Sequence, residues 1–163
     1  MATVSFFIVV GVFAAALFLA SFLTKRRVGL LGLALAAGYV LAQLWTQDLT
    51  PLVANAGIEV IKPPLSSLVA TILTLLPAVF VFFHGATTKG KLIRIAHALV
   101  FAGLGVALLM EPIGAALVID DTAKPVYDFL KQYNMIFITA GIALSVVDLM
   151  MGKIRRRERE PRH

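Results

Sequence analysis

The chain has 163 residues, 60% of them hydrophobic, a mean hydropathy of +0.91 and a formal net charge of +6. Soluble domains are about 45–50% apolar, so this composition excludes an ordinary water-soluble globule. The absence of cysteine excludes disulfides, thiolate metal ligands and thiol nucleophiles.

Five stretches approach the roughly 18–20 apolar residues that cross a ~30 Å hydrocarbon layer. They are 4–24, 28–46, 65–84, 92–110 and 134–151. Water is absent at that depth, so each span must satisfy its own backbone and should be helical. Segments this long exclude a β-barrel, whose strands give about ten alternating residues. The expected fold is an all-α integral membrane protein, one polytopic domain over 1–163 with about five transmembrane helices. The first span has no basic residue before it, and Lys25, Arg26 and Arg27 follow it. That order reads as an uncleaved anchor with its N-terminus outside the cytoplasm.

The remaining charge fits the same topology. Lys89, Lys91 and Arg94 lie between spans three and four, and the basic tail 153–163 follows span five. The other loops carry Asp48, Glu59, Glu111, Asp120, Asp121 and Asp128, with Lys62, Lys124 and Lys131 as their bases. Every basic cluster therefore falls on one side, which places the C-terminus in the cytoplasm of a prokaryotic inner membrane. The expected partners of that face are anionic lipids. Nucleic acid is not expected, because orientation already accounts for the charge.

Two segments between spans are too polar to cross. Residues 50–62 begin with Thr50 as an N-cap and Pro51 at the first helical position. Residues 121–133 carry Val126, Phe129, Leu130 and Tyr133 as an apolar stripe opposite Lys124, Asp128 and Lys131. Both read as amphipathic helices in the outer interface, with Trp45, Tyr127 and Tyr133 at the level of an aromatic belt. The order span, basic turn, span, amphipathic helix then occurs twice. A shift of 64 residues places Lys25 on Lys89 and Gly38 on Ala102. The chain reads as two parallel hairpin repeats plus a final span.

Within the spans, Ala34, Gly38 and Ala42 recur every four residues, and Gly103 and Ala107 form a second pair beside Ala98 and Ala102. Such stripes let helices approach closely, within the chain or against a partner. Pro77 kinks span three and frees the carbonyl of Leu73. On span five, Asn134, Ile138, Gly141, Ser145, Asp148 and Gly152 share one face. Asp148 is the central question, since an intramembrane acid marks a functional site unless it is compensated. His97 and Arg94 lie at the same end of the bundle as Asp148, so Asp148, Ser145, Asn134, His97 and Arg94 are the candidate polar cluster. Compensation near the interface and a proton- or cation-handling role both remain open. His84 adds a second imidazole at that end, but no metal-ligand spacing occurs on one helix. No glycine-rich phosphate loop, nucleophile elbow or HExxH motif is present. No catalytic residue, cofactor or metal is therefore expected, and the protein is expected not to be an enzyme.

The hairpins around "TKRRVGLLGLALAAGYVLAQLW" and "KGKLIRIAHALVFAGLGVALL", with the segment between them, resemble the CvpA, or colicin V production, family of small bacterial inner-membrane proteins. The resemblance covers about residues 1–133. This chain reads Lys25-Arg26-Arg27-Val28-Gly29 where that family has an Arg-Gly-type turn, and its fifth span departs from the usual four. The resemblance implies an envelope-homeostasis or export-associated role and transfers no functional residue. The expected function is a non-enzymatic structural or accessory protein, meeting other membrane subunits or further copies of itself. The alternative is a small transporter or channel using the polar face of the last span.

Overall fold

The computed structural model describes residues 6–24, 28–57, 63–84, 91–117, 119 and 121–157, with backbone only for His84 and 152–157. Six helices make up these residues: α1 (Phe6–Thr24), α2 (Val28–Asn55), α3 (Leu65–His84), α4 (Lys91–Leu108), α5 (Met110–Ala116) and α6 (Lys124–Arg157). Five of them, all but α5, are long and apolar enough to cross a membrane, as expected. Their outward faces remain apolar: Val12, Phe80, Leu92 and Met135 are all exposed. In water, apolar surface on that scale would drive association; in a bilayer it is the solvated face.

α2 and α4 face one another at the centre. α1 packs on α4, α3 packs on α2, and α6 lies against both central helices. Each expected hairpin therefore packs across onto the other. Exchanging α1 with α3 and α2 with α4 turns the α1–α4 contact into the α3–α2 contact. The main core contains Leu17, Leu31, Leu35, Ala78, Phe101, Leu104 and Leu108. Phe82 and Phe101 meet edge to face at 5.7 Å. A smaller cluster of Phe6, Met110 and Ala123, with Tyr127 and Leu130 against it, closes the end away from Arg94. There Phe6 and Tyr127 meet edge to face at 5.7 Å.

Helix boundaries differ from the sequence expectation in three places. α2 does not stop before Thr50; it runs unbroken through Pro51 to Asn55. Thr50 is not an N-cap, because its Oγ1 donates to the Thr46 carbonyl at 2.6 Å. Helical threonines often bond backward in this way, and Pro51 removes one backbone N–H without ending the helix. Gly57, with φ of 85°, supplies the left-handed residue beyond Asn55. Residues 58–62 of the expected amphipathic segment lie outside the described residues. At the other segment, α6 starts at Lys124, after a turn at 121–123, and continues without a break to Arg157. Amphipathic segment and fifth span are thus one 34-residue helix, about 51 Å long at ~1.5 Å per residue. Finally, α4 gives way at Leu109 to the short helix α5. Pro112 explains the interruption, since it offers no N–H to the Leu108 carbonyl.

Close packing falls on glycine, though not always the expected one. Ala34, Gly38 and Ala42 are buried in α2. A Cβ on Gly38 would run into the Thr74 carbonyl and lie 2.9 Å from the Leu73 oxygen. Leu73 is the residue whose carbonyl Pro77 leaves without a helical donor, so the glycine seats α2 directly on the α3 proline site. Ala107 is buried as expected, but Gly103 is exposed and a Cβ there would meet nothing within 4 Å. The close approach on α4 belongs to Gly105, where a Cβ would strike Leu17 of α1. Gly103 and Gly105 are two residues apart, about 200° around a helix of 3.6 residues per turn. They cannot both face the same neighbour.

Candidate functional site

The sequence cluster resolves into ties at two helix ends, with Ser145 packed beside one of them and Asn134 elsewhere. At the start of α2 the first-turn N–H groups have no helical partner, and the positive end of the dipole favours an anion. The Gly29 N–H donates to Asp148 Oδ2 at 3.0 Å. A helix is usually capped by the residue just before it; here the acceptor comes 119 positions later, from α6. The other carboxylate oxygen, Oδ1, lies 3.3 Å from His97 Nε2 on α4. The two side chains are 21% and 16% exposed, so both are largely shielded by the bundle. Glycine is required for this approach: a Cβ on Gly29 would sit 2.8 Å from Leu149 Cγ and 3.0 Å from the carboxylate.

Arg94, one turn before His97, does not pair with Asp148 among the described residues. It reaches the end of α1 instead, where Nη2 donates to the Phe22 carbonyl at 2.7 Å. Its guanidinium also lies 4.5 Å from the Phe22 ring centroid. A cation there meets the negative end of the α1 dipole and satisfies a terminal carbonyl. Arg94 and Asp148 thus carry the charges that the two ends of the first hairpin call for, cation on the α1 terminus and anion on the α2 terminus.

Ser145 is fully buried one turn before Asp148, and its Oγ donates to the Gly141 carbonyl at 2.8 Å. It fills the space left by Gly29 and Gly32 of α2. Asn134 is fourteen residues from Asp148, roughly 21 Å along α6, and lines an apolar crevice with α1 and α4. The His84 side chain lies outside the described residues, as does that of Lys153. Among the described residues no three metal-ligating side chains converge.

The pairing of His97 with a carboxylate is chemistry suited to orientation or to proton transfer. Here one carboxylate oxygen is held by a backbone donor, and that contact fixes α6 to the head of α2. Sequence reasoning found Asp148, His97 and Arg94 but missed both backbone partners, Gly29 and Phe22. The signal for Gly29 was present in "VGLLG", where Gly29 and Gly32 mark one small face of α2. Comparison of the chain with protein-family models, with curated proteins and with solved structures finds no match.

Proposed function

We propose that this is a non-enzymatic structural or accessory protein of a prokaryotic cytoplasmic membrane, with its N-terminus outside and its basic tail in the cytoplasm. The observation that supports this best is the engagement of Asp148 by the Gly29 N–H and His97. The most conspicuous intramembrane charge is spent on joining α6 to α2 and α4, which is a task of architecture. The same reading assigns the amphipathic portions of α2 and α6 to the outer interface, where they meet lipid or another membrane subunit. An envelope-homeostasis or export-associated setting, as the CvpA-like pattern implies, belongs to the proposal.

Gentle extraction of the tagged protein from its native membrane tests the role. Stoichiometric recovery of another membrane protein is expected, and recovery of this chain alone would remove the accessory reading. Orientation has its own check, because the chain lacks cysteine. An Arg26→Cys variant should react with a membrane-impermeant maleimide only after the cells are opened. Labelling in intact cells would reverse the topology.

A further inference from the structure

We infer that the crevice between α1, α4 and α6 is a lipid site, seating one acyl chain of a phospholipid from the leaflet opposite the basic end. The inference stands on the chain being embedded in a bilayer and not on the accessory role. Ala14 of α1, Gly103 of α4 and Phe137 of α6 form its sides, and its volume is about 430 Å³. Along α4 and α5 the lining runs from Leu99 to Met110, eleven residues and so about 16 Å at the helical rise. A hydrocarbon layer of ~30 Å holds two chains end to end, so the crevice has the depth of one leaflet.

Its depth selects among occupants. A helix that crosses the bilayer runs the full ~30 Å, about twice the depth of the crevice. Half of such a helix would therefore lie beyond the crevice. A single extended acyl chain reaches through one leaflet, as the crevice does. An empty crevice would forfeit dispersion contacts along every wall, and acyl chains are the solvent at this depth.

One further residue makes the crevice selective for an amphiphile. Asn134 is the polar side chain among its described lining residues, one turn beyond Leu130, which packs in the cluster that contains Met110. Its carboxamide offers two donors and an acceptor where an acyl chain joins its glycerol. The group it suits is the ester carbonyl or phosphodiester of a phospholipid whose chain extends toward Leu99.

Gly103 provides the test, because a side chain added there enters open space without striking the protein. The full-length protein in detergent micelles would be titrated with palmitoyl-oleoyl phosphatidylglycerol and read by native mass spectrometry. Wild type is expected to retain one lipid per chain. Gly103→Phe should weaken retention at least tenfold, and Asn134→Leu several-fold. Gly11→Phe is the control, since Gly11 is exposed on α1, outside the crevice, with nothing within 4 Å. It should leave retention unchanged. Ala14→Phe, filling the crevice from the opposite wall, replaces Gly103→Phe should that variant lose its helical melting transition. Equal lipid retention by wild type and the crevice-filling variant would overturn the proposal. So would a wild-type dimer that Gly103→Phe dissociates, because the crevice would then seat a second copy.

Discussion

Gly38→Leu should prevent α2 from seating on α3 and abolish the cooperative melting transition of the purified protein. The Cβ alone would collide with the Thr74 carbonyl and press the Leu73 carbonyl. Both are helix backbone, so neither can rotate away as a side-chain tip would. Overpacking of this kind costs about 1–3 kcal/mol when the surroundings can shift; Gly38→Ala should fall in that range and leucine beyond it. Thermal melting in detergent, followed by circular dichroism, measures both. Gly103→Ala is the internal control, because the same methyl there meets open space. A Gly38→Ala protein melting with wild type would show that α2 and α3 do not approach as closely as their backbones indicate.

Removal of the Asp148 carboxylate is expected to have the next largest effect. Asp148→Ala would remove the acceptor of the Gly29 N–H and the carboxylate beside His97 Nε2. Hydrogen bonds to charged groups contribute about 1.5–3 kcal/mol, and a loss of that order should appear as a lower melting temperature. Asp148→Asn keeps an oxygen that can accept from Gly29 but loses the charge, so it should be the milder change. The order matters for function as well as stability. An architectural carboxylate predicts that Asn is tolerated, and that ion flux in reconstituted vesicles does not change between wild type and variant. Abolished flux in a fully folded Asp148→Asn protein would move the residue into a transport mechanism.

How much of this was legible in the sequence depends on what each feature requires. Span number and helical character follow from length and hydropathy alone, and the structure has five helices long and apolar enough to cross a membrane. Asp148 was conspicuous because a lone carboxylate in an apolar run is rare, and its proximity to His97 followed from the alternating direction of the spans. The partner that matters most, the Gly29 N–H, depends on which helix lies beside α6. That is a tertiary fact with no local code. The Ala34-Gly38-Ala42 stripe was readable from its four-residue repeat, whereas "FAGLGVALL" gave two glycines with equal claims. Only the placement of α1 against α4 decides for Gly105. Thr50-Pro51 misled because the same pair that opens a helix can also be carried within one, provided the threonine bonds backward. Asn134 was grouped with Asp148 by face, correctly for direction and wrongly for depth, since a helical stripe 34 residues long passes several different neighbours.

The ties at the first hairpin also impose an order in time. Phe22 and Gly29 are both made before the groups that satisfy them. The guanidinium of Arg94 follows Phe22 by 72 positions, and the carboxylate of Asp148 follows Gly29 by 119. Until α6 is made, the Gly29 N–H lacks the acceptor that it has in the folded chain. The ends of the first hairpin therefore gain these partners only after the helices that carry them have been made.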